Sequence, residues 1–181
     1  MNYSAIFYDD MKNGSGLRVT LFVNGCEHKC KGCQNPSTHD PCGGELFDEN
    51  ALNRILKHLN HDYISGLTLS GGDPLYPSNR EDIYNLINII KNKFPDKNIW
   101  LYTGYTFEAI MKDDLMKKIA SKVDIIVDRK FKLDKLDVNY PWAGSTNQRV
   151  IDVKETLKVY PNIVLYKEDN VEERTNKFLF G

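Results

Sequence analysis

The chain has 181 residues, 41% hydrophobic and 27% charged, a globular balance that excludes a disordered chain. It is long enough for one domain but falls short of the ~250 residues of a closed eight-stranded α/β barrel. Twenty-four Lys and Arg against 25 Asp and Glu leave a formal charge of −1, which disfavours a nucleic-acid partner. No apolar run approaches the ~20 residues needed to span a bilayer, and Met1-Asn2-Tyr3-Ser4 lacks the basic start of an export signal. A cytoplasmic protein with no membrane partner is therefore expected.

The first expected strand covers 17–23, where apolar and mixed positions alternate between glycines. A Gly-, Cys- and Pro-rich loop then runs from 24 to about 47, far longer than most connections in α/β units, which suggests that it wraps something. Leu52, Ile55, Leu56 and Leu59 recur at helical spacing. A second strand at 67–70 stops at Gly71-Gly72-Asp73-Pro74. The clearest helix places Ile83, Leu86, Ile87, Ile90 and Phe94 on one face, with Ser78 and Glu81 at capping-box spacing. A third strand at 99–102 ends at Thr103-Gly104. Weaker helical segments at 106–111 and 114–121 lead to a fourth strand at 123–127. Beyond Arg129 the pattern weakens, with 149–153 and 163–166 as candidate edge strands. Residues 154–181 read as a C-terminal extension of uncertain role, its Glu168, Asp169, Glu172 and Glu173 solvated. With no repeat or linker, a single domain over 1–181 is expected.

Strands separated by helices imply right-handed crossovers and a mostly parallel sheet. The loops after the strand C-termini of such a sheet share one rim, where active sites form. The cysteine loop, the double glycine and Thr103-Gly104-Tyr105 each follow a strand, so three separate stretches converge on one pocket.

Cys26-Glu27-His28-Lys29-Cys30-Lys31-Gly32-Cys33 has C-x3-C-x2-C spacing. Three thiolates on one short loop suit three irons of a cubane, leaving the fourth iron open. A structural zinc that recruits Cys42, His28 or His39 is a second reading, although no second ligand pair is present. A thioredoxin-like dithiol at Cys30 and Cys33 is a third, and it leaves Cys26 unexplained. Cys42 itself reads as a free loop thiol, and His28 and His39 as polar loop residues. Gly71-Gly72 suits close backbone approach to a ligand or a plain tight turn. Asp73 suits an ammonium acceptor or the start of the next loop. Trp100, Tyr102 and Tyr105 read as core before pocket, Asn13-Gly14 as a turn, and Asn147-Gln148-Arg149 as a polar rim.

The cysteine spacing together with Gly71-Gly72-Asp73 resembles the radical S-adenosylmethionine enzymes. Within them, the chain is most similar to the activating proteins of anaerobic ribonucleoside-triphosphate reductases. The resemblance covers nearly the whole chain to about Val153. It is carried by Asn13-Gly14-Ser15-Gly16-Leu17-Arg18, by 21–35, by 67–75, by 99–105 and by Gly144-Ser145-Thr146-Asn147-Gln148-Arg149. Gln34, His39, Ser15, Arg129 and Ala143 depart from residues frequent in that group.

The resemblance implies a partial β/α barrel of mostly parallel strands. It implies that Cys26, Cys30 and Cys33 hold a [4Fe-4S] cluster. Gly32, Cys33, Gln34, Gly71, Gly72 and Asp73 would contact S-adenosylmethionine, which chelates the open iron and is cleaved reductively. It further implies that the resulting 5′-deoxyadenosyl radical removes hydrogen from a glycine of the reductase large subunit. That subunit is one implied partner, and a flavodoxin-like electron donor is another.

Overall fold

A computed structural model describes residues 1–168 of the chain. Their strands form one seven-stranded sheet in the order β3-β1-β2-β4-β5-β6-β7. The four central strands, β2 (Leu17–Val23), β4 (Ile64–Gly71), β5 (Asn98–Tyr102) and β6 (Ile125–Asp128), are parallel. Strands β1 (Asn2–Asp10) and β3 (Glu45–Leu46) extend one edge, and β7 (Arg149–Asp152) extends the other, all by antiparallel pairing. The expected α/β class with a mostly parallel sheet is present, and the antiparallel edges make the sheet mixed.

Side-chain alternation sorts the sheet into two unlike faces. Val19, Leu21, Leu67, Leu69, Ile99, Leu101 and Ile126 point to one side and are fully buried. Helix α1 (Glu49–Leu59) covers them with Ala51, Ile55 and Leu59, and α2 (Arg80–Lys93) does so with Ile83, Leu86, Ile87 and Ile90. Helices α3 (Phe107–Ile110) and α4 (Asp114–Ala120) add Phe107, Ile110, Met116 and Ile119 to the same core. The intervening positions carry Arg18, Thr20, Thr68, Ser70, Trp100 and Tyr102, a largely polar interior. Arg18 is fully buried there, donating to Thr68 Oγ1 (2.7 Å), Leu67 O (2.9 Å) and Ser15 O (3.0 Å), its guanidinium over the Trp100 ring. Burial lowers its pKa to about 10, which leaves it charged at neutral pH.

Several expectations are corrected at the element ends. The cap of α2 is Asn79 rather than a Ser78–Glu81 box. Ser78 faces solvent, and the Asn79 amide donates inward to Asn24 O (2.7 Å) and Asp73 O (3.2 Å). The loops after β2 and β4 thereby take the side chain that a local cap would use. The strand expected at 149–153 ends at Asp152, because Val153 opens helix α5 (Val153–Val159), with the Asp152 side chain accepting from Glu155 N at 3.0 Å. At 163–166 there is only an isolated bridge from Leu165 to Ile151. Glu168 accepts a hydrogen bond from Ser15 Oγ (2.6 Å), whereas Asp169, Glu172 and Glu173 lie outside the described residues.

Arg149 joins three elements at the far side of the rim. Its guanidinium bonds Asp128 at the end of β6 and both carboxylate oxygens of Glu108 on α3, the latter at 3.0 and 2.9 Å. Hydrogen bonding to Arg149 brings the Glu108 carboxyl down to about 2. A depressed carboxylate contributes stability that is present above its unfolded pKa and is lost as pH falls through the folded one. Urea midpoints are therefore expected to drop between about pH 4.5 and 2, and Glu108→Gln to flatten that part of the curve. The effect is small, because Glu108 is 44% exposed and solvent screens it.

Candidate metal and cofactor site

The chain leaves β2 through buried Asn24 and Gly25, the latter at φ +102°. Two backbone bonds close the following loop on itself, Gly25 N to Thr38 O (2.8 Å) and Cys26 N to His39 O (3.2 Å). Lys29 (φ +47°) and Gly32 (φ +71°) turn it sharply between the cysteines, and Cys33 N donates to Cys30 O at 3.1 Å.

Among the three sulfurs, the hydrogen bonds of the described residues fall on Cys33. Cys33 Sγ accepts from Asn35 N and faces His39 Nε2, each at 3.4 Å. Burial raises the thiol pKa of Cys26 and of Cys30, so neither has the depressed value of a reactive dithiol. All four cysteines are free, and Cys42 is exposed away from the other three. Among the described residues no three His, Cys, Asp or Glu side chains converge as a single metal ion would require. A cubane needs its thiolates on separate irons, and three cysteines of one loop lining one cleft suit that demand.

Cys26, Cys30, Cys33, Gln34, Gly71 and Gly72 all line one cleft of about 150 Å³, with Ser70, Tyr102, Thr103 and Gly104 from the neighbouring strand ends. The three stretches singled out in the sequence therefore meet. The Tyr102 hydroxyl opens on this cleft, buried and without a partner among the described residues. Burial raises its pKa, keeping it a neutral donor. The cleft continues past Asn13, Gln34, Asn35 and Gly144 into a wider groove of about 930 Å³ bordered by Met11, Val138 and Trp142.

Two of the residues expected at the cofactor do not line this cleft. Gly32 faces Leu133, which a Cβ would approach to 3.1 Å, and it does not line the cleft. Asp73 lies behind the wall at 1% exposure, its oxygens taken by groups of the protein. The double glycine also has a tighter reason than ligand access. A Cβ on Gly72 would stand 2.5 Å from Gly25 O and 2.8 Å from Thr38 O, so this wall packs backbone on backbone against the cysteine loop.

Sequence reasoning weighed His28 and His39 as zinc ligands and read them as polar loop residues, and both line the cleft. Their only signal was position inside the cysteine loop. Arg129, Lys130 and Phe131 also line it, with Arg129 at φ +77°. Gln148, expected at a polar rim, is an internal strut that accepts from Gly144 N and Ser145 N (both 3.1 Å) and donates to Arg129 O (3.1 Å). Trp100 is core, as expected, whereas Tyr102 reaches the cleft.

Residues 12–151 match the family model described as a 4Fe-4S single cluster domain. The chain is 49% identical over 150 residues to the anaerobic ribonucleoside-triphosphate reductase-activating protein of Enterobacteria phage T4, covering 83% of this chain and 93% of the relative. It is 42% identical to the protein of that name from Pasteurella multocida over 82% of this chain and 95% of the relative. For the Escherichia coli K12 protein the figures are 40%, 83% and 97%. The chain belongs to the anaerobic ribonucleoside-triphosphate reductase-activating protein family. In this family member every residue lining the cleft, from Asn13 to Gln148, falls inside the matched 4Fe-4S region.

Proposed function

We propose that the chain is a radical S-adenosylmethionine activating enzyme that installs a glycyl radical on the large subunit of an anaerobic ribonucleoside-triphosphate reductase. The observation that carries this reading is the convergence of Cys26, Cys30 and Cys33 on one cleft beside Gly71 and Gly72. The names of the relatives support the choice of reductase. Held by Cys26, Cys30 and Cys33, a [4Fe-4S] cluster would supply the electron for reductive cleavage of S-adenosylmethionine, the chemistry that ends in hydrogen removal from the glycine.

The chain's own groups have distinct tasks. The three cysteines would ligate the cluster, and Gln34 and the backbone of Gly71 and Gly72 would border the bound cofactor. The unpartnered Tyr102 hydroxyl would donate to a polar group of that cofactor. Helices on one sheet face and a polar opposite face fit a partial barrel, and the groove that continues from the cleft would admit a polypeptide loop. The electron is proposed to come from a flavodoxin-like donor, in a reducing cytoplasm where free thiols persist.

His39 provides a prediction specific to this chain. Its Nε2 faces Cys33 Sγ, and donors to a ligating sulfur stabilise the more negative, reduced cluster. In His39→Phe the reduction potential is expected to move negative, with partial recovery in His39→Gln, read by potentiometric titration of the reduced-cluster electron paramagnetic resonance (EPR) signal.

The reading is tested by anaerobic incubation with reductant, S-adenosylmethionine and the reductase large subunit. Formation of 5′-deoxyadenosine together with a glycyl-radical EPR doublet is expected. Cofactor cleavage with a radical only on a pyruvate formate-lyase-type partner would reassign the substrate.

A further inference from the structure

We propose that Asp73 and His28 form a clasp that fixes the cysteine loop against the loops after β4 and β5. Asp73 then serves the site as a positioning residue rather than as a cofactor contact. The clasp itself is read from contacts within the chain, and its use in holding a cluster rests on the function proposed above.

The Asp73 carboxylate has no capacity left for a ligand. Oδ1 accepts from Leu75 N (2.8 Å), Oδ2 accepts from Gly104 N (3.0 Å), and Thr103 Oγ1 lies 2.9 Å from both oxygens. His28 Nε2 completes the set at 2.6 Å from Oδ2. A carboxylate offers about four lone-pair sites, and here groups from three loops occupy them.

His28 stands between Cys26 and Cys30, so whatever holds its ring holds the loop between two cysteines. The ring is 6% exposed and lies edge-to-face with Tyr105 at 4.7 Å. It enters only because Gly104 lacks a side chain, since a Cβ there would come within 2.3 Å of His28 Cδ2. Backbone bonds hold the loop at its base, at Gly25 and Cys26, and beyond them the His28–Asp73 bond and a hydrogen bond from the Tyr105 hydroxyl to Glu27 tie its side chains to the neighbouring loops. In a buried pair of this kind, removing either partner leaves the other unsatisfied.

The test is amide hydrogen exchange on metal-free chains. In Asp73→Asn, His28→Ala and Gly104→Ala, exchange across 26–33 is expected to rise by about tenfold or more, with α2 unchanged as the sign of an intact fold. Gly104→Ala reaches the clasp through its ring alone and alters no ionisable group. The His28→Ala/Asp73→Asn double variant should exchange no faster than the faster single, and His28→Gln, whose amide can donate, should recover part of the protection.

After anaerobic reconstitution the same variants should show an altered reduced-cluster EPR line shape, again partly restored by His28→Gln. Unchanged loop exchange in all three single variants would overturn the clasp. So would an Asp73→Asn chain with wild-type exchange and line shape but weakened S-adenosylmethionine binding, because that pattern marks a direct cofactor contact. A wild-type chain that takes up no cluster would count against the proposed function, and the metal-free exchange comparison would still decide the clasp.

Discussion

Replacing any one of Cys26, Cys30 or Cys33 with alanine is expected to reduce both iron retention and 5′-deoxyadenosine formation to background, whereas Cys42→Ala retains both. The three cysteines share one loop and line one cleft, and no fourth cysteine lies in the cleft to substitute for a lost one. Burial opposes ionisation of Cys26 and Cys30, so metal binding has to supply the driving force for losing the protons. Two remaining thiolates cannot draw on that force to the same extent. Cys42 is exposed and outside the cleft, which makes it the internal control. Anaerobic iron and sulfide analysis, paired with chromatographic detection of 5′-deoxyadenosine, reads the comparison.

The largest stability effect is expected from Arg149→Met. Asp128 is fully buried at the end of β6, and besides the Arg149 guanidinium it accepts only Phe107 N (2.8 Å) among the described hydrogen bonds. Methionine keeps much of the side-chain volume but strands a buried carboxylate, which typically costs about 3–5 kcal/mol. Glu108 loses its bidentate partner as well, a smaller loss at a half-exposed site. The urea midpoint should fall accordingly without a change in slope. An Arg149→Met/Asp128→Leu double variant should recover most of the loss, because no buried charge then remains uncompensated.

What the sequence disclosed follows from which interactions are local. The four parallel strands and helices α1 and α2 were legible because each buries a face at its own period, as Val19 and Leu21 or Ile83, Leu86, Ile87 and Ile90 do. Strand β1 was not. Its Ile6-Phe7-Tyr8 run masks the alternation, Phe7 is half exposed and packs edge-on against Phe22, and the pairing with β2 shifts register twice. The start of α2 was misread because Asn79 answers to Asn24 and Asp73 rather than to its own helix.

At the site, the convergence of three strand-end loops was legible from residue types alone. Two features were not. The packing of Gly72 against Gly25 and Thr38, and the satisfaction of Asp73 by His28, Thr103 and Gly104, join positions up to 47 residues apart. No periodicity or spacing records such pairs.

The central claim is that the three-cysteine loop carries a cubane with one iron left for S-adenosylmethionine. Mössbauer spectroscopy of the anaerobically reconstituted protein, with one iron position labelled, tests it most directly. The account predicts about four irons per chain and a single iron site whose isomer shift changes when S-adenosylmethionine is added. A chain that holds one zinc and no iron, or a cluster whose irons all ignore the added compound, would contradict it.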